Sequence, residues 1–141
     1  MPETKLASLI YFSHRHPSPP PSELEDILTT SVRNNRDLNI TGLLVSDERF
    51  FMQVIEGAPL PLNELYKQIT TDKRHHHVTL IDYSMTNDRS FEHWWMAAAK
   101  VPEFIERYLK SRFGGFEPAK FSARDAREYL EMLRDQLLEE E

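Results

Sequence analysis

Two polar side chains lie within otherwise apolar segments, and both are of types that take part in hydrogen-bond chemistry. Tyr11 lies in the apolar run 6–12, and Gln53 lies in the run 50–55. A primary amide inside a buried strand costs several kcal/mol unless its donors and its acceptor are paired. Gln53 therefore either binds a neighbouring loop or faces the polar edge of a ligand. Tyr11 also has two possible roles. It either packs in the core with its hydroxyl at the core's rim, or it takes part in a binding site.

Two pairs of residues are further candidates for a binding site. Asn34 and Asn35 stand at the end of a predicted helix, where asparagine commonly terminates the helix. Trp94 and Met96 are two positions apart, so in a strand they share one face while Trp95 points to the other. Most such asparagines end a helix and most such Trp and Met pairs pack in a core, so in isolation these roles are favoured over a ligand site.

Hydrolytic and metal chemistry find little support in the sequence. His75, His76 and His77 are consecutive, and three such side chains in a strand alternate between faces and cannot all point at one metal. The chain has no cysteine to complete a tetrahedral site. It has no GxSxG or HExxH motif, and its few glycines exclude a dinucleotide-binding turn. Glu56, followed by Gly57, indicates a turn at a strand end. From these observations together we predict no metal site and no acid–base pair.

The elements that must position these residues follow from hydrophobic spacing. Strands are predicted over 6–12, 40–45, 50–55, 78–85 and 91–99, and helices over roughly 22–35 and 60–71. Ser22 and Glu25 predict a capping box at the start of the first helix, after a proline-rich loop. The order βαββαββ predicts an α+β, ferredoxin-like fold with two helices on one face of a five-stranded mixed sheet.

Two more helices are predicted after residue 100. The first ends at Gly114 and Gly115, and the second follows Ser122. The apolar residues of the second helix recur in steps of four, three and four, which predicts a narrow seam that packs on another helix or on a sheet. The seam consists of Ala126, Leu130, Leu133 and Leu137. The last three residues, 139–141, are expected to be solvated or frayed.

Composition narrows the function classes. The 141 residues carry 17 Lys and Arg against 23 Asp and Glu, 17 − 23 = −6, which argues against nucleic acid as a main ligand. No apolar stretch approaches the length of about 20 residues that crosses a bilayer. Residues 1–5 show no secretory-signal pattern, and the absence of cysteine excludes disulfides and thiolate catalysis. We therefore expect a cytoplasmic protein without membrane or nucleic-acid partners.

Several sequence blocks, in order along residues 1–100, resemble the BLUF domain, a blue-light sensor that uses FAD. The matching residues are Leu9 to Ser13, Asn34 and Asn35, Asn39 to Leu44, Phe51 to Gly57, Asp72 to His75, Arg89 to Phe91, and Trp94 to Met96. Each block is weak alone, whereas all of them in order, with their polar residues in place, are specific. The resemblance implies a flavin-binding domain over 1–100 and a helical extension over 101–141 that packs on the domain or on a partner.

The resemblance also implies roles for individual residues. Tyr11 matches the photoactive tyrosine of the family and Gln53 its switching glutamine, with Trp94 and Met96 as their neighbours. The residues implied to bind the cofactor are Tyr11, Ser13, Asn34, Asn35, Gln53, Asp72, Arg74 and His75. Gln68 occupies a position where some relatives carry an arginine that reaches the cofactor.

The implied function is photochemical and not enzymatic. An electron and a proton leave Tyr11 through Gln53, and their return leaves the Gln53 amide rearranged. Signalling then occurs through contacts with a downstream protein or with further copies of the chain, and an exposed seam on the last helix favours a homo-oligomer. Two alternatives stay open. One is an acylphosphatase-like hydrolase, for which Arg15 is the only candidate cation, and the other is a flavin-free interaction module of the same fold.

Overall fold

A computed structural model describes residues 5–140, so the expectations for residues 1–4 and for Glu141 lie outside the described residues. The elements are β1 (Leu6–His14), α1 (Glu23–Leu38), β2 (Thr41–Ser46), β3 (Phe50–Gly57), α2 (Pro59–Thr71), β4 (His76–Thr86), β5 (Ala97–Lys100), α3 (Glu103–Phe113) and α4 (Ala123–Glu139). None of the described helices has the length and apolar character needed to cross a bilayer.

The five strands form one mixed sheet in the order β4-β1-β3-β2-β5. β1 pairs antiparallel with both β3 and β4, β2 pairs antiparallel with β3, and β5 runs parallel to β2. Two of these neighbours, β1 and β3, are separated in the chain by a helix and a strand. The arrangement confirms the predicted α+β, ferredoxin-like fold.

Apolar side chains on both faces of the sheet form two separate cores. Because side chains alternate along a strand, Leu9 and Tyr11 of β1 belong to the inner core while Ile10 and Phe12 belong to the outer core. The inner core is completed by side chains of α1 and α2, such as Ile27, and the outer core by side chains of α3 and α4. Both faces of the sheet are therefore covered within one chain.

The seam of α4 lies on the outer face of the sheet. Ala126, Leu130 and Leu133 are buried there, and Leu137 packs against the same cluster. The prediction of an exposed seam was wrong, because the apolar outer face of the sheet needs a cover and the last helix provides it. The seam of α4 therefore no longer supports the expected homo-oligomer. The division of the chain into two parts at residue 100 stays a prediction.

The helix ends differ from those predicted. The Ser22 side chain donates to the Asp26 carboxylate and caps no backbone N–H of α1, so the capping box predicted there was wrong. α1 continues to Leu38, and Asn39 ends it in the left-handed conformation with φ 55°. Asn34 and Asn35 are therefore helical residues and not helix terminators, which leaves their side chains available to a site.

The strand predicted over 91–99 is shorter and begins only at Ala97. The backbone of the preceding segment is held by a buried side chain and by a hydrogen bond to β2. The amides of Ser90 and Phe91 each donate to Glu56 Oε1 at 2.8 Å, and the Trp94 carbonyl accepts from the Gly42 amide at 3.2 Å. The argument that Trp94 and Met96 share a strand face was therefore wrong, although Met96 is buried.

Candidate functional site

Tyr11 and Gln53 lie directly opposite each other on the antiparallel strands β1 and β3. Both side chains point into the inner core, where they are 0% and 4% exposed. The Tyr11 hydroxyl donates a hydrogen bond to Gln53 Oε1. Burial, together with the nearby Tyr66 and Asp72, raises the pKa of the Tyr11 hydroxyl far above its usual range. Tyr11 is therefore a neutral donor at physiological pH.

The amide nitrogen of Gln53 continues this chain of hydrogen bonds. Gln53 Nε2 donates to the Met96 sulfur at 3.3 Å, and Met96 is 5% exposed. The structure thus links Tyr11, Gln53 and Met96, three residues that the sequence proposed together. Met96 directly precedes β5, so the chain of hydrogen bonds reaches from the inner core to the parallel edge of the sheet.

A slot between α1 and α2 lies beside this chain of hydrogen bonds. It has a volume of about 80 Å³, and its lining includes six of the predicted cofactor-binding residues: Asn34, Asn35, Gln53, Asp72, Arg74 and His75. Asn35 is buried, and its Nδ2 donates to the Trp95 carbonyl at 2.7 Å. Its Oδ1 finds no hydrogen-bond partner among the described residues. A buried acceptor without a partner costs about 1–3 kcal/mol, so a ligand that supplies a donor here would be stabilised.

His75, one of the lining residues, connects the slot to Ser13 of β1. Ser13 Oγ and His75 Nδ1 are 2.8 Å apart, and the His75 ring lies 5.1 Å from that of Phe51. Arg74 binds the Asp72 carboxylate with its guanidinium, at 2.6 Å from Nη2 to Oδ2, and with its backbone amide. These bonds lower the pKa of Asp72 below its usual range. Asp72 is thus a charged group at the mouth of the slot.

Two further predicted positions line cavities near the chain of hydrogen bonds. Trp94 is half-buried and, with Trp95 and Met96, lines a separate cavity of about 420 Å³ beside α1. Met96, which also lines this cavity, contacts the Gln53 amide. Gln68 is largely exposed but belongs to the slot lining, so its position agrees with the predicted proximity to a ligand.

We expect the protein to lose stability in mildly acidic solution because of His75. Burial lowers the pKa of His75 to about 4, from 6.5 in an unfolded chain. The unfolded state therefore binds a proton first, and the stability present above pH 6.5 is lost as the pH falls towards 4, by about 3 kcal/mol. Urea unfolding at a series of pH values measures this loss. The substitution His75→Asn should flatten the profile between pH 6.5 and 4.5, and an unchanged profile would remove His75 as the cause.

Glu56 is a structural residue of the site that the sequence did not reveal. The sequence suggested a turn, but Glu56 lies in β3 and is 1% exposed. Its Oε1 accepts from the amides of Ser90 and Phe91 and so fixes the start of the segment that carries Met96. Burial raises the pKa of Glu56, while these two bonds and the charge of Arg127 oppose the rise. The sequence carried one signal, a carboxylate directly after the strand-like run 50–55.

Replacing Glu56 by alanine should destabilise the fold by about 2–4 kcal/mol, because two backbone N–H groups lose their acceptor. Glu56→Gln is the matched control, since it keeps an oxygen acceptor and removes the charge. We expect that variant to cost less than about 1 kcal/mol. Urea unfolding measures both free energies. Equal losses in the two variants would mean that the charge, and not the two hydrogen bonds, is what stabilises the segment.

A larger cavity, of about 460 Å³, lies at the hairpin between β2 and β3 and is lined by none of the predicted cofactor-binding residues. The two arginines that line it already have partners. Arg15 binds the buried carboxylate of Glu23 at 3.3 Å and the Asp47 carbonyl at 2.9 Å, and Arg49 binds Glu117 at 2.9 Å. The predicted chemistry therefore lies in the smaller slot, where an acceptor is left unpaired.

The fold and the slot together define an α+β domain with a polar-lined slot between two helices. The family model described as "Sensors of blue-light using FAD", BLUF, matches residues 6–97. The chain belongs to the BLUF family, and it is a blue-light sensor that uses FAD.

Individual relatives agree with this assignment. The blue light- and temperature-regulated antirepressor BluF of Escherichia coli (strain K12) is 31% identical over 81 residues, which are 56% of this chain and 20% of that protein. The solved structure of BlrB, a BLUF protein in its dark state, aligns with 94% of this chain and 98% of its own at 25% identity and a TM-score of 0.76. BlsA in its photo-activated state shares the fold, with a TM-score of 0.85 over 92% of this chain and 94% of its own at 24% identity. The chain spans a fifth or less of the length of the first curated relatives that it matches.

The residues around the slot suit a flavin. The ring system is a flat plate with apolar faces and one edge that carries both N–H and carbonyl groups. Asn35 and Gln53 supply amide groups of both kinds, and the unpaired Asn35 oxygen needs a donor. The slot is smaller than the roughly 300 Å³ of ordinary ligand pockets, so it would accommodate a flavin ring only if side chains of α1 and α2 moved apart.

Proposed function

We propose that Tyr11, Gln53 and Met96 are the light-responsive hydrogen-bond chain of this sensor, with Trp94 as their neighbour. The observation that carries the proposal is the continuous path from the Tyr11 hydroxyl through the Gln53 amide to the Met96 sulfur. The cofactor-binding residues proposed beside Tyr11 and Gln53 are Ser13, Asn34, Asn35, Asp72, Arg74 and His75.

When bound, FAD supplies absorption of blue light and an acceptor for electrons. Tyr11 holds its proton against Gln53 Oε1 in a buried and neutral environment. If the Gln53 amide turns over, its nitrogen faces Tyr11 and its oxygen faces Met96. A thioether has no proton to donate, so the bond to Met96 is lost, at a cost of about 1 kcal/mol. A change of that size can shift an element only if its two states are already close in free energy.

The segment around Met96 is the proposed output element. Its two ends are held differently, by Glu56 at Ser90 and by Gln53 at Met96. α4 contacts the same segment, since Arg134 donates to the Ser90 carbonyl at 2.8 Å. A change in the bond between Gln53 and Met96 can therefore alter how α4 lies on the sheet.

The output is proposed to be binding and not catalysis. α3 and α4, which follow the last strand, are used to cover the outer face of the sheet. We propose a cytoplasmic sensor that acts on a separate downstream protein and also self-associates. The E. coli relative, whose name describes an antirepressor, supports an output of this kind.

Two alternative functions compete with this proposal. An acylphosphatase-like hydrolase needs a free cation in the loop after β1, whereas Arg15 is held by Glu23 and by the Asp47 carbonyl. A flavin-free interaction module would keep the fold without a working site, and the unpaired Asn35 oxygen speaks against it.

A visible spectrum recorded before and after blue illumination tests the proposed function. The purified protein should be yellow, its absorption should shift to the red in light, and the shift should reverse in the dark. A protein that stays colourless after refolding with FAD would support the flavin-free module. A yellow protein with no reversible shift would contradict the proposed hydrogen-bond chain.

A further inference from the structure

The outer edge of β4 is open in this fold. β4 is an end strand, and within residues 5–140 no strand pairs with its outer side. It has 11 residues, whereas β5 at the opposite edge has four and ends in Lys100. Natural proteins protect edge strands by making them short or by placing lysine or proline in them. β4 contains neither residue type, and its irregularities in register all lie before Asp82, so the edge after that point lacks the usual protections.

The register of β4 defines which part of its edge could pair with a second strand. Asp82 lies opposite Ile10 and Leu80 lies opposite Tyr11, so Ile81 is an additional residue that forms a bulge. The part before the bulge contains a second shift in register and His77 at φ 52°. The regular part of the edge is therefore 82–86.

The side chains of this part are apolar on one face. Tyr83 and Met85 lie opposite Leu9 and Ala7, so they share the inner face of the sheet, and they are 38% and 49% exposed. Asp82 contacts Arg127 of α4 at 3.4 Å, so its charge is paired on the outer face. The edge 82–86 therefore has exposed apolar side chains and a carboxylate whose charge is already paired. It suits a strand of the same composition better than a charged peptide.

We propose that two copies of this chain associate by antiparallel pairing of their β4 edges about a two-fold axis at Ser84. In this register Tyr83 of one copy lies opposite Met85 of the other, and the symmetry makes this contact twice. Contacts between methionine sulfur and aromatic rings are favourable. Asp82 lies opposite Thr86, whereas an axis at Asp82 would place two carboxylates opposite each other.

The size of the contact sets the expected affinity. Five paired residues extend over about 17 Å, so the contact is smaller than the roughly 800 Å² per partner of a standard interface. We therefore expect a dimer in exchange with the monomer and a dissociation constant in the micromolar range. The proposal gives a surface to the self-association named under the proposed function, and it is tested in the dark, so its failure leaves the photochemistry unaffected.

Sedimentation of the FAD-loaded protein across the micromolar range tests the association. The mass should rise from that of one loaded chain, whose polypeptide is 16.6 kDa, towards that of two. Tyr83→Lys should keep the protein monomeric throughout. Phe104→Lys is the matched control, because Phe104 is 55% exposed on α3, and this variant should dimerise as the unaltered protein does. An unaltered protein that stays monomeric, or equal loss of dimer in both variants, overturns the proposal.

Single cysteines locate the axis, since the chain has none of its own. In the proposed register two copies of a cysteine at position 84 lie opposite each other, within reach of a disulfide. Position 79 is five residues from the axis, so its copies lie about 34 Å apart. Under mild oxidation Ser84→Cys should cross-link at least about tenfold faster than Thr79→Cys. Equal rates overturn this register and with it the proposed interface.

Discussion

The substitution Gln53→Leu should abolish the light-induced red shift while the protein still binds FAD. Leucine has a similar size but neither accepts the Tyr11 proton nor donates to Met96, so the chain of hydrogen bonds is broken at both ends. The Tyr11 hydroxyl is then buried without its acceptor, and we expect a loss of about 1–3 kcal/mol in the free energy of unfolding. Light-minus-dark difference spectra and urea unfolding measure the two effects.

Gln68→Leu is the matched control for this experiment. Gln68 lines the same slot and also carries an amide, but it is largely exposed and lies outside the chain of hydrogen bonds. The control should keep the full red shift, even if its affinity for FAD changes. A red shift that survives in Gln53→Leu would show that the light response does not pass through this amide.

Tyr11→Phe should bind FAD and lose the productive light response completely. The phenyl ring fills the same space, but the proton that Tyr11 donates to Gln53 is missing. Because Gln53 Oε1 is left without this donor in the inner core, the fold should lose about 1–3 kcal/mol. Illumination of the FAD-loaded variant, followed in its visible spectrum, measures the response.

Tyr66→Phe removes a hydroxyl from the same neighbourhood and serves as the control. The Tyr66 ring lies 5.8 Å from that of Tyr11 and is half-buried, but Tyr11 is the residue that donates to Gln53. The control should respond to light as the unaltered protein does. Loss of the response in both variants would point to a general effect of tyrosine removal near the slot.

The inner-core position of the site residues could be predicted because it depends on local patterns. Alternation along β1 and β3 places Tyr11 and Gln53 on buried faces, whatever the topology. The hydrogen bond between them also needs the two strands to be neighbours in one register, and a helix and a strand separate them in the chain. Only the resemblance to a family indicated that contact from the sequence.

The segment before β5 could not be predicted because distant groups determine its backbone. Residues 91–96 have the composition of a strand, but Glu56 holds the amides of Ser90 and Phe91. The Asn35 side chain similarly binds the Trp95 carbonyl. Hydrophobic periodicity carries no information on such long-range polar contacts. It also cannot specify the surface on which an amphipathic helix packs, and for this reason the seam of α4 was wrongly expected to be exposed.

The packing of α4 limits how this sensor can be transplanted. The family match ends at residue 97, whereas the outer core continues to Leu133. A fusion protein that borrowed only residues 6–97 would leave Phe12, Val45 and their neighbours facing water, an apolar sheet surface of the kind that causes aggregation. A designer who wants a portable light-sensing cassette from this chain must carry the tail along or supply another amphipathic helix in its place.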